Sequence, residues 1–297
     1  VRIVVTGKSG QVVTALVGLA AQTGRTVVAL GRPELDLADP TSVLGALTAA
    51  RADVIVNAAA YTAVDQAESE PDVAMAVNGV GAGAVAAAAR ALGVPVVHIS
   101  TDYVFAGDKP TPYVETDLVG PVGAYGRSKL AGEQAVAIAT PDHAILRTAW
   151  VYAAAGKNFL NTMLRVARTR PELTVVADQF GCPSYAPDIA RATLRVCENL
   201  VAAPQDPALR GVFHMAGGGE THWAGFAEAI FARSALRGGP VAQVRHIPTS
   251  AYPTPARRPA NSRLNCEKMA RVHGVHMPDW REALDRCFDV LDLRIGA

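Results

Sequence analysis

The sequence has little that would tie it to a polyanion or staple it covalently. Its 28 Lys and Arg are matched by 27 Asp and Glu, for a formal net charge of +1. That balance gives no reason to expect a nucleic acid or an anionic membrane as partner. Basic clusters are scarce, and Arg257-Arg258 is the one notable pair in the second half. The 4 cysteines, Cys182, Cys197, Cys266 and Cys287, are scattered without C-x-x-C spacing. This argues against a disulfide framework or a zinc site and predicts reduced thiols in a cytoplasmic protein. No run reaches the roughly 18 consecutive apolar residues of a membrane span; the Ala-rich stretch Ala82 to Leu92 is interrupted by Gly83 and Arg90 and reads as a buried helix. Val1-Arg2-Ile3-Val4-Val5 opens directly on a strand pattern, without the regions of a signal peptide, so none is expected. Nothing repeats at a fixed period.

What remains is an ordinary globular chain of 297 residues, 50% hydrophobic and 19% charged, long enough for one large or two modest domains. The β-branched run Ile3-Val4-Val5-Thr6 leads straight into Gly7-Lys8-Ser9-Gly10-Gln11, and a helical stretch follows from Val12 to Ala21, closed near Gly24. Strand, glycine turn and helix together form the setting of a phosphate site, in which Gly7, Ser9, Gly10, Gln11 and Val12 offer backbone N–H groups to a pyrophosphate. Val13 stands where a third glycine is usual, which predicts a wider seat for the helix with phosphate binding kept. A purely structural turn fits the two glycines about as well.

The next strand, Thr26 to Leu30, ends at Gly31-Arg32. A dinucleotide site reads the adenosine ribose here, and Arg32 in place of an acid favours a 2′-phosphate, hence NADPH, with NADH also admissible. A solvated loop arginine is nearly as compatible. Asp36 and Leu37 are placed to hydrogen-bond and cover an adenine; the alternative is helix capping, with Asp39-Pro40 opening a helix to Ala50. Asp53 to Val56 is a continuous apolar strand, followed by Asn57-Ala58-Ala59-Ala60-Tyr61-Thr62, where small residues let backbone approach a ligand. A helix opening near Pro71 carries Asn78 and ends at Leu92-Gly93; Pro95 to Ile99 and Ala144 to Thr148 make further strands.

This alternation predicts an α/β fold, a doubly wound parallel (Rossmann) sheet over residues 1–150, with ligands at the carboxyl ends of its strands. Residues 151–297 are expected to form a smaller C-terminal α/β substrate-binding domain, some of it, about 170–200, returning to the main sheet. Within it Asn158–Thr169, His222–Leu236, Asp279–Leu293 and a segment opened by Pro187 read as helices. Leu173–Val176 and Val212–Met215 read as strands, the former as the one that rejoins the sheet. Arg257 or Arg258 is placed to reach a diphosphate, or is a surface pair flanked by prolines.

Ala124-Tyr125-Gly126-Arg127-Ser128-Lys129 adds a chemical feature. Tyr125 and Lys129 are one helical turn apart on one face. An ammonium beside a phenol favours the phenolate and makes the phenol a readier proton donor. The spacing alone is common on solvated helices.

Four stretches in this order, Thr6 to Gln11, Asn57 to Asp65, Ser100 to Phe105 and Tyr125 to Glu133, resemble the extended short-chain dehydrogenase/reductases, and among them the dTDP-4-dehydrorhamnose reductase branch. The likeness continues through Asp178-Gln179-Phe180-Gly181 and Tyr252 to Pro259, so it covers nearly the whole chain. It implies a catalytic triad of Thr101, Tyr125 and Lys129: Tyr125 protonates a sugar ketone as hydride arrives, Thr101 steadies its oxygen, and Lys129 holds the nicotinamide ribose and favours ionisation of Tyr125. It adds Ala59, Ala60, Tyr61 and Thr62 to the cofactor contacts, and implies that Asp102, Tyr103 and Trp150 face the sugar nucleotide while Val64 lines the pocket. The implied reaction is reduction of the C4 ketone of dTDP-4-dehydro-6-deoxy-L-mannose; a sister dTDP-deoxysugar 4-ketoreductase or a non-catalytic dinucleotide-binding regulatory subunit are the alternatives. Glutamates that hold magnesium at the dimer contact of some members are matched here by Ala15 and Pro187, so no metal is expected and a homodimer is left open.

Overall fold

In the computed structural model, which describes residues 1–291, the strands β1 (Arg2–Thr6), β2 (Thr26–Leu30), β3 (Val54–Asn57), β4 (Val96–Thr101) and β5 (His143–Thr148) build one sheet with the strand Gly211–His214. The order is Gly211–His214, β5, β4, β3, β1, β2, and every pairing is parallel. A parallel sheet needs helical crossovers that cover both faces, so its strands read as unbroken apolar runs. Successive side chains leave by opposite faces. Ile3, Val5, Val54, Val56, Val97 and Leu146 therefore enter one core layer, while Val4, Ile55, Val96 and Ile145 enter the other.

The first layer is closed by α1 (Gln11–Thr23) and α7 (Ala186–Ala202), through Leu16, Ala20, Ile189, Val196 and Leu200. The second is closed by α2 (Thr41–Ala50), α4 (Gly81–Leu92) and α5 (Ala124–Ala139), through Val43, Leu47, Val85, Ala89 and Val136. Each buried aliphatic side chain contributes roughly 1.5–3 kcal/mol. Alanine and glycine let α4 approach α5 closely: a Cβ on Gly83 would lie 3.1 Å from that of Ala135. The stretch Pro71–Leu92, which includes α3 (Pro71–Met75) and a π-helical turn Ala76–Val80, is apolar and long enough to cross a membrane by length and composition, but half of its most apolar window is buried in the fold.

The strand order reverses between β1 and β3, and the crevice outside their carboxyl ends is where doubly wound folds bind ligands. A second core lies on that side, formed by α6 (Phe159–Ala167), α8 (Trp223–Leu236) and the helix Trp280–Val290 around Tyr152, Leu160, Phe226, Ile230 and Leu284. The part of the expected last helix beyond Leu291, including Leu293, lies outside the described residues.

One sequence expectation needs correction. Leu173–Val176 does not rejoin the main sheet; Glu172–Val176 pairs with Gln243–Ile247 in a separate two-stranded sheet. Its alternating exposure, with Glu172 and Thr174 outward, suits a sheet covered on one face only. What rejoins the sheet is α7 with Gly211–His214, whose Phe213 and His214 are fully buried. The chain from 151 onward thus serves both cores.

Candidate active site

The glycine turn after β1 has the geometry that its sequence implies. Gly7 has φ of 100°, a left-handed value that disfavours any side chain, and its N–H donates to Leu30 O at 2.6 Å. Gly10 is the N-cap of α1, with no side-chain cap bond and no acidic residue in the first turn. The N–H groups of that turn are therefore free to meet an anion, and the helix dipole favours one. Val13 is buried in the core, and a Cβ on Gly7 would sit 3.3 Å from Val13 Cγ2. Ser9 and Gly10 are exposed and Gln11 and Val12 half-buried. Gln11 Oε1 accepts from Asn158 Nδ2 at 2.9 Å, which ties the turn to the start of α6.

At the neighbouring strand end, Arg32 is exposed. Lys8 reaches the same edge, donating to Arg32 O at 3.2 Å and pairing with Glu34 at 2.5 Å. Asp36 Oδ1 takes the Ala38 N–H at 3.0 Å, and Asp39 Oδ1 takes Thr41 N at 3.1 Å at the start of α2. Leu37 is buried in the core under α4, 4% exposed. The loop after β3 is held from beneath: Ala58 N and Ala59 N both donate to Thr6 Oγ1, at 3.1 and 3.0 Å. Ala59, Ala60 and Tyr61 are half-buried there and Thr62 is exposed. Asn78, in the π-helical turn, accepts from Tyr61 N at 2.8 Å and donates to Tyr61 O at 3.0 Å and to Ser128 Oγ at 2.9 Å. One amide thus joins this loop to α5, and a Cβ on Gly132 would strike the Asn78 carbonyl.

Thr101 ends β4, and Tyr125 and Lys129 lie on the first turns of α5, which packs along it. Thr101 bears on the Tyr125 phenol, and its Oγ1 donates to Asp102 Oδ1 at 2.9 Å and accepts from Tyr103 N at 3.2 Å. Burial raises the Tyr125 phenol well above its usual range, with the Asp102 carboxylate adding to this and Thr101 opposing it. Lys129 Nζ donates to Ile99 O at 2.7 Å and lies 3.4 Å from His98 Nε2. Burial lowers the Lys129 ammonium to about 8, against the pull of Glu133. Glu133 is itself buried and clamped by Arg147 through Nε at 2.9 Å and Nη2 at 2.7 Å.

The opposite wall carries the remaining candidates. Asp102 is 4% exposed, and burial pushes its carboxyl up to about 6. Tyr103 meets Tyr125 edge to face at a centroid distance of 5.6 Å. Trp150 adopts φ of 48°, and its ring lies stacked on Trp223 at 3.5 Å. Val64 is half-buried at the turn before Asp65.

The family described as RmlD substrate binding domain matches residues 1–293. This chain belongs to that family. It is similar to a dTDP-4-dehydrorhamnose reductase of Sinorhizobium fredii, with 50% identity over 96% of each chain. Among solved structures it resembles a dTDP-4-dehydrorhamnose reductase of Clostridium acetobutylicum, with TM-score 0.90 and 34% identity over 98% of this chain and 99% of that one. A Bacillus anthracis dTDP-4-dehydrorhamnose reductase, in complex with NADP, gives TM-score 0.88 and 35% identity over 97% and 98%.

Three features of the RmlD-family site escape sequence reasoning. Trp223 reads in sequence only as part of a helix, yet it covers one face of Trp150. Arg258, open in sequence as a diphosphate contact, donates to Tyr103 Oη at 3.0 Å and Asp65 Oδ2 at 2.7 Å, and so straps the C-terminal loop across the site, while Arg257 is exposed. His98 is fully buried beside Lys129. In sequence it shows only as a polar residue inside an apolar strand, Val96-Val97-His98-Ile99.

Proposed function

We propose that this chain is an NADPH-dependent reductase converting the C4 ketone of dTDP-4-dehydro-6-deoxy-L-mannose into dTDP-L-rhamnose. The observation that carries the reading is the buried Tyr125 phenol beside Thr101 at the carboxyl end of β4, with Lys129 one turn along the same helix. The left-handed Gly7 and the uncapped N-terminus of α1 fit a pyrophosphate, and the Bacillus anthracis relative was solved with NADP. The reduced nicotinamide supplies hydride to the carbonyl carbon.

The chain's own residues do the rest. Burial keeps the proton on Tyr125 at neutral pH, so the group is a donor and not a phenolate. Thr101 and Tyr125 converge on one carbonyl oxygen and stabilise the charge that grows there. The proton then passes from Tyr125 Oη to that oxygen. Gly7, Ser9, Gly10, Gln11 and Val12 take the pyrophosphate in this reading. Arg32, Asp36 and Leu37 border the adenosine end, and Ala59 to Thr62 line the path between. Asp102, Tyr103, Val64 and Trp150 face the sugar nucleotide, and the part of the chain from 151 to 297 that forms the second core is the substrate domain. Free and mostly buried thiols suit a reducing compartment such as the cytoplasm.

The test is turnover of NADPH with dTDP-6-deoxy-L-lyxo-4-hexulose, with the product identified by proton NMR. Stoichiometric formation of dTDP-L-rhamnose is expected. The C4 epimer as main product, or a preference for another dTDP-4-keto sugar, would remove the rhamnose assignment.

A further inference from the structure

Among the buried titratable side chains that the mechanism does not use, one lies against the catalytic lysine. His98 is 1% exposed, lies on β4 directly behind the catalytic helix, and is part of an unbroken polar chain: Thr6, Asn57, His98, Lys129. Its protons can be assigned by counting. Thr6 Oγ1 accepts two backbone N–H groups, Ala58 at 3.1 Å and Ala59 at 3.0 Å, so both lone pairs are occupied. Its single proton must therefore be given away, and Asn57 Oδ1 receives it at 2.8 Å. Asn57 then turns its NH2 group to His98 Nδ1, 3.0 Å away, which must carry a lone pair. Burial holds His98 neutral, so the remaining ring proton is on Nε2.

That proton faces Lys129 Nζ at 3.4 Å, beyond the usual N–H hydrogen-bond range of about 2.7–3.2 Å. An ammonium has three donors and no acceptor, so the N–H of His98 meets it donor to donor. An amine offers a lone pair, and the same contact becomes a hydrogen bond. The conflict cannot be relieved by exchanging the tautomer, because Asn57 and Thr6 are fixed by the two backbone N–H groups of the loop after β3. We propose that His98 is a positioning residue whose Nε2–H, fixed in that tautomer by Asn57 and Thr6, makes Lys129 a readier proton donor than burial alone would.

The other charged groups on elements packed against α5 do not perform this task. Glu133 favours the ammonium, but Arg147 from β5 and the Ser100 hydroxyl, at 2.6 Å, already engage its carboxylate. Glu68 accepts from Ala124 N at 2.7 Å at the helix start, Arg90 of α4 binds Ala139 O at 3.1 Å, and Asp72 of α3 is exposed. Asp102 bears on Tyr125, and His143 bears on His98. The consequence for turnover rests on the proposed reductase reading. A phenol that has given its proton to product needs another before the next cycle, and an ammonium that yields its proton easily shortens that recovery.

Two measurements on the cofactor-free protein test the proposal without any activity. In nitrogen-15 spectra of histidine-labelled protein, with His98 assigned through His98→Gln, we expect the neutral Nε2–H tautomer from neutral to mildly alkaline pH. An Nδ1–H tautomer or an imidazolium would overturn the proposal. In carbon-13 spectra of labelled lysine, with Lys129 assigned through Lys129→Met, we expect its midpoint to rise by about half a pH unit or more in both Thr6→Val and His98→Gln. Thr6→Val frees Asn57 to turn while keeping the imidazole, and in His98→Gln the introduced amide can turn its oxygen to Nζ. An unchanged midpoint in both variants would reject the proposal. If the protein also reduces the keto sugar, the alkaline limb of kcat is expected to move the same way with cofactor Kd unchanged. If it reduces none, the functional reading fails and the two spectra still decide the role of His98.

Discussion

Thr101 gives its hydroxyl proton to Asp102 Oδ1 at 2.9 Å, and Ser262 also bears on this buried carboxylate. A carboxylate buried this deeply is costly when ionised. Burial of this kind outweighs the hydrogen bonds that Asp102 does receive and raises its pKa.

The sign of the pH effect follows. Asp102 has a folded pKa of about 6 against an ordinary 3.8. Between those values the folded protein keeps a proton that the unfolded chain has lost, so stability falls as pH rises through this window and is level above it. Asp102→Asn should remove that slope. By urea denaturation the variant should exceed wild type at neutral pH by on the order of 2–3 kcal/mol, with no difference near the lower end of the window. A wild type more stable at every pH would contradict this.

Glu133 and Arg147 form a buried two-point ion pair under α5, each side chain only 5% exposed. Removing one partner strands the other charge. Glu133→Gln and Arg147→Met are each expected to lower unfolding free energy by about 3–5 kcal/mol, and the double change Glu133→Leu with Arg147→Met should recover much of the loss. Additive losses in denaturant titrations would show that the pairing is not the source.

Gly181 lies under the Trp150 indole, and a Cβ there would enter the ring. With its backbone already at φ of 48° and Trp223 stacked on it, Trp150 has little room to retreat. Gly181→Ala is expected to lower kcat/KM for the sugar nucleotide roughly tenfold to a hundredfold through misplacement of that wall. Equilibrium binding of NADPH should stay as in wild type, and a matching loss there would place the damage elsewhere.

The expectation for cofactor choice rests on Arg32, exposed at the end of β2. Arg32→Ala should weaken NADPH roughly tenfold and leave NADH unchanged if its guanidinium takes the 2′-phosphate. Because Lys8 is held by Glu34 at the same edge, Lys8→Ala should weaken NADPH less. Fluorescence titration of both cofactors reads the two effects, and equal weakening of NADPH and NADH by Arg32→Ala would exclude that role.

The parts of the fold legible in sequence are those with local causes. β1, β3 and β4 are short apolar runs because both faces of the sheet are covered, and Gly7 is forced by a left-handed backbone. The return of Gly211–His214 to the sheet is not legible as such, since four residues carry no address for their neighbour and only pairing with β5 fixes it. The site divides the same way. Tyr125 and Lys129 share a helix face and are visible as a pair. The amide of Asn78 reaching Ser128, the stack of Trp150 on Trp223, and the chain from Thr6 to Lys129 are contacts between distant segments, which no local pattern encodes.

The proton donor is the centre of the account, and Tyr125→Phe addresses it most directly. It removes one hydroxyl and leaves the ring packed against Tyr103. The comparison is kcat for keto-sugar reduction alongside Kd for NADPH in wild type and variant. A fall in kcat of roughly a hundredfold to ten-thousandfold is expected, with Kd unchanged. Turnover at the wild-type rate would contradict it.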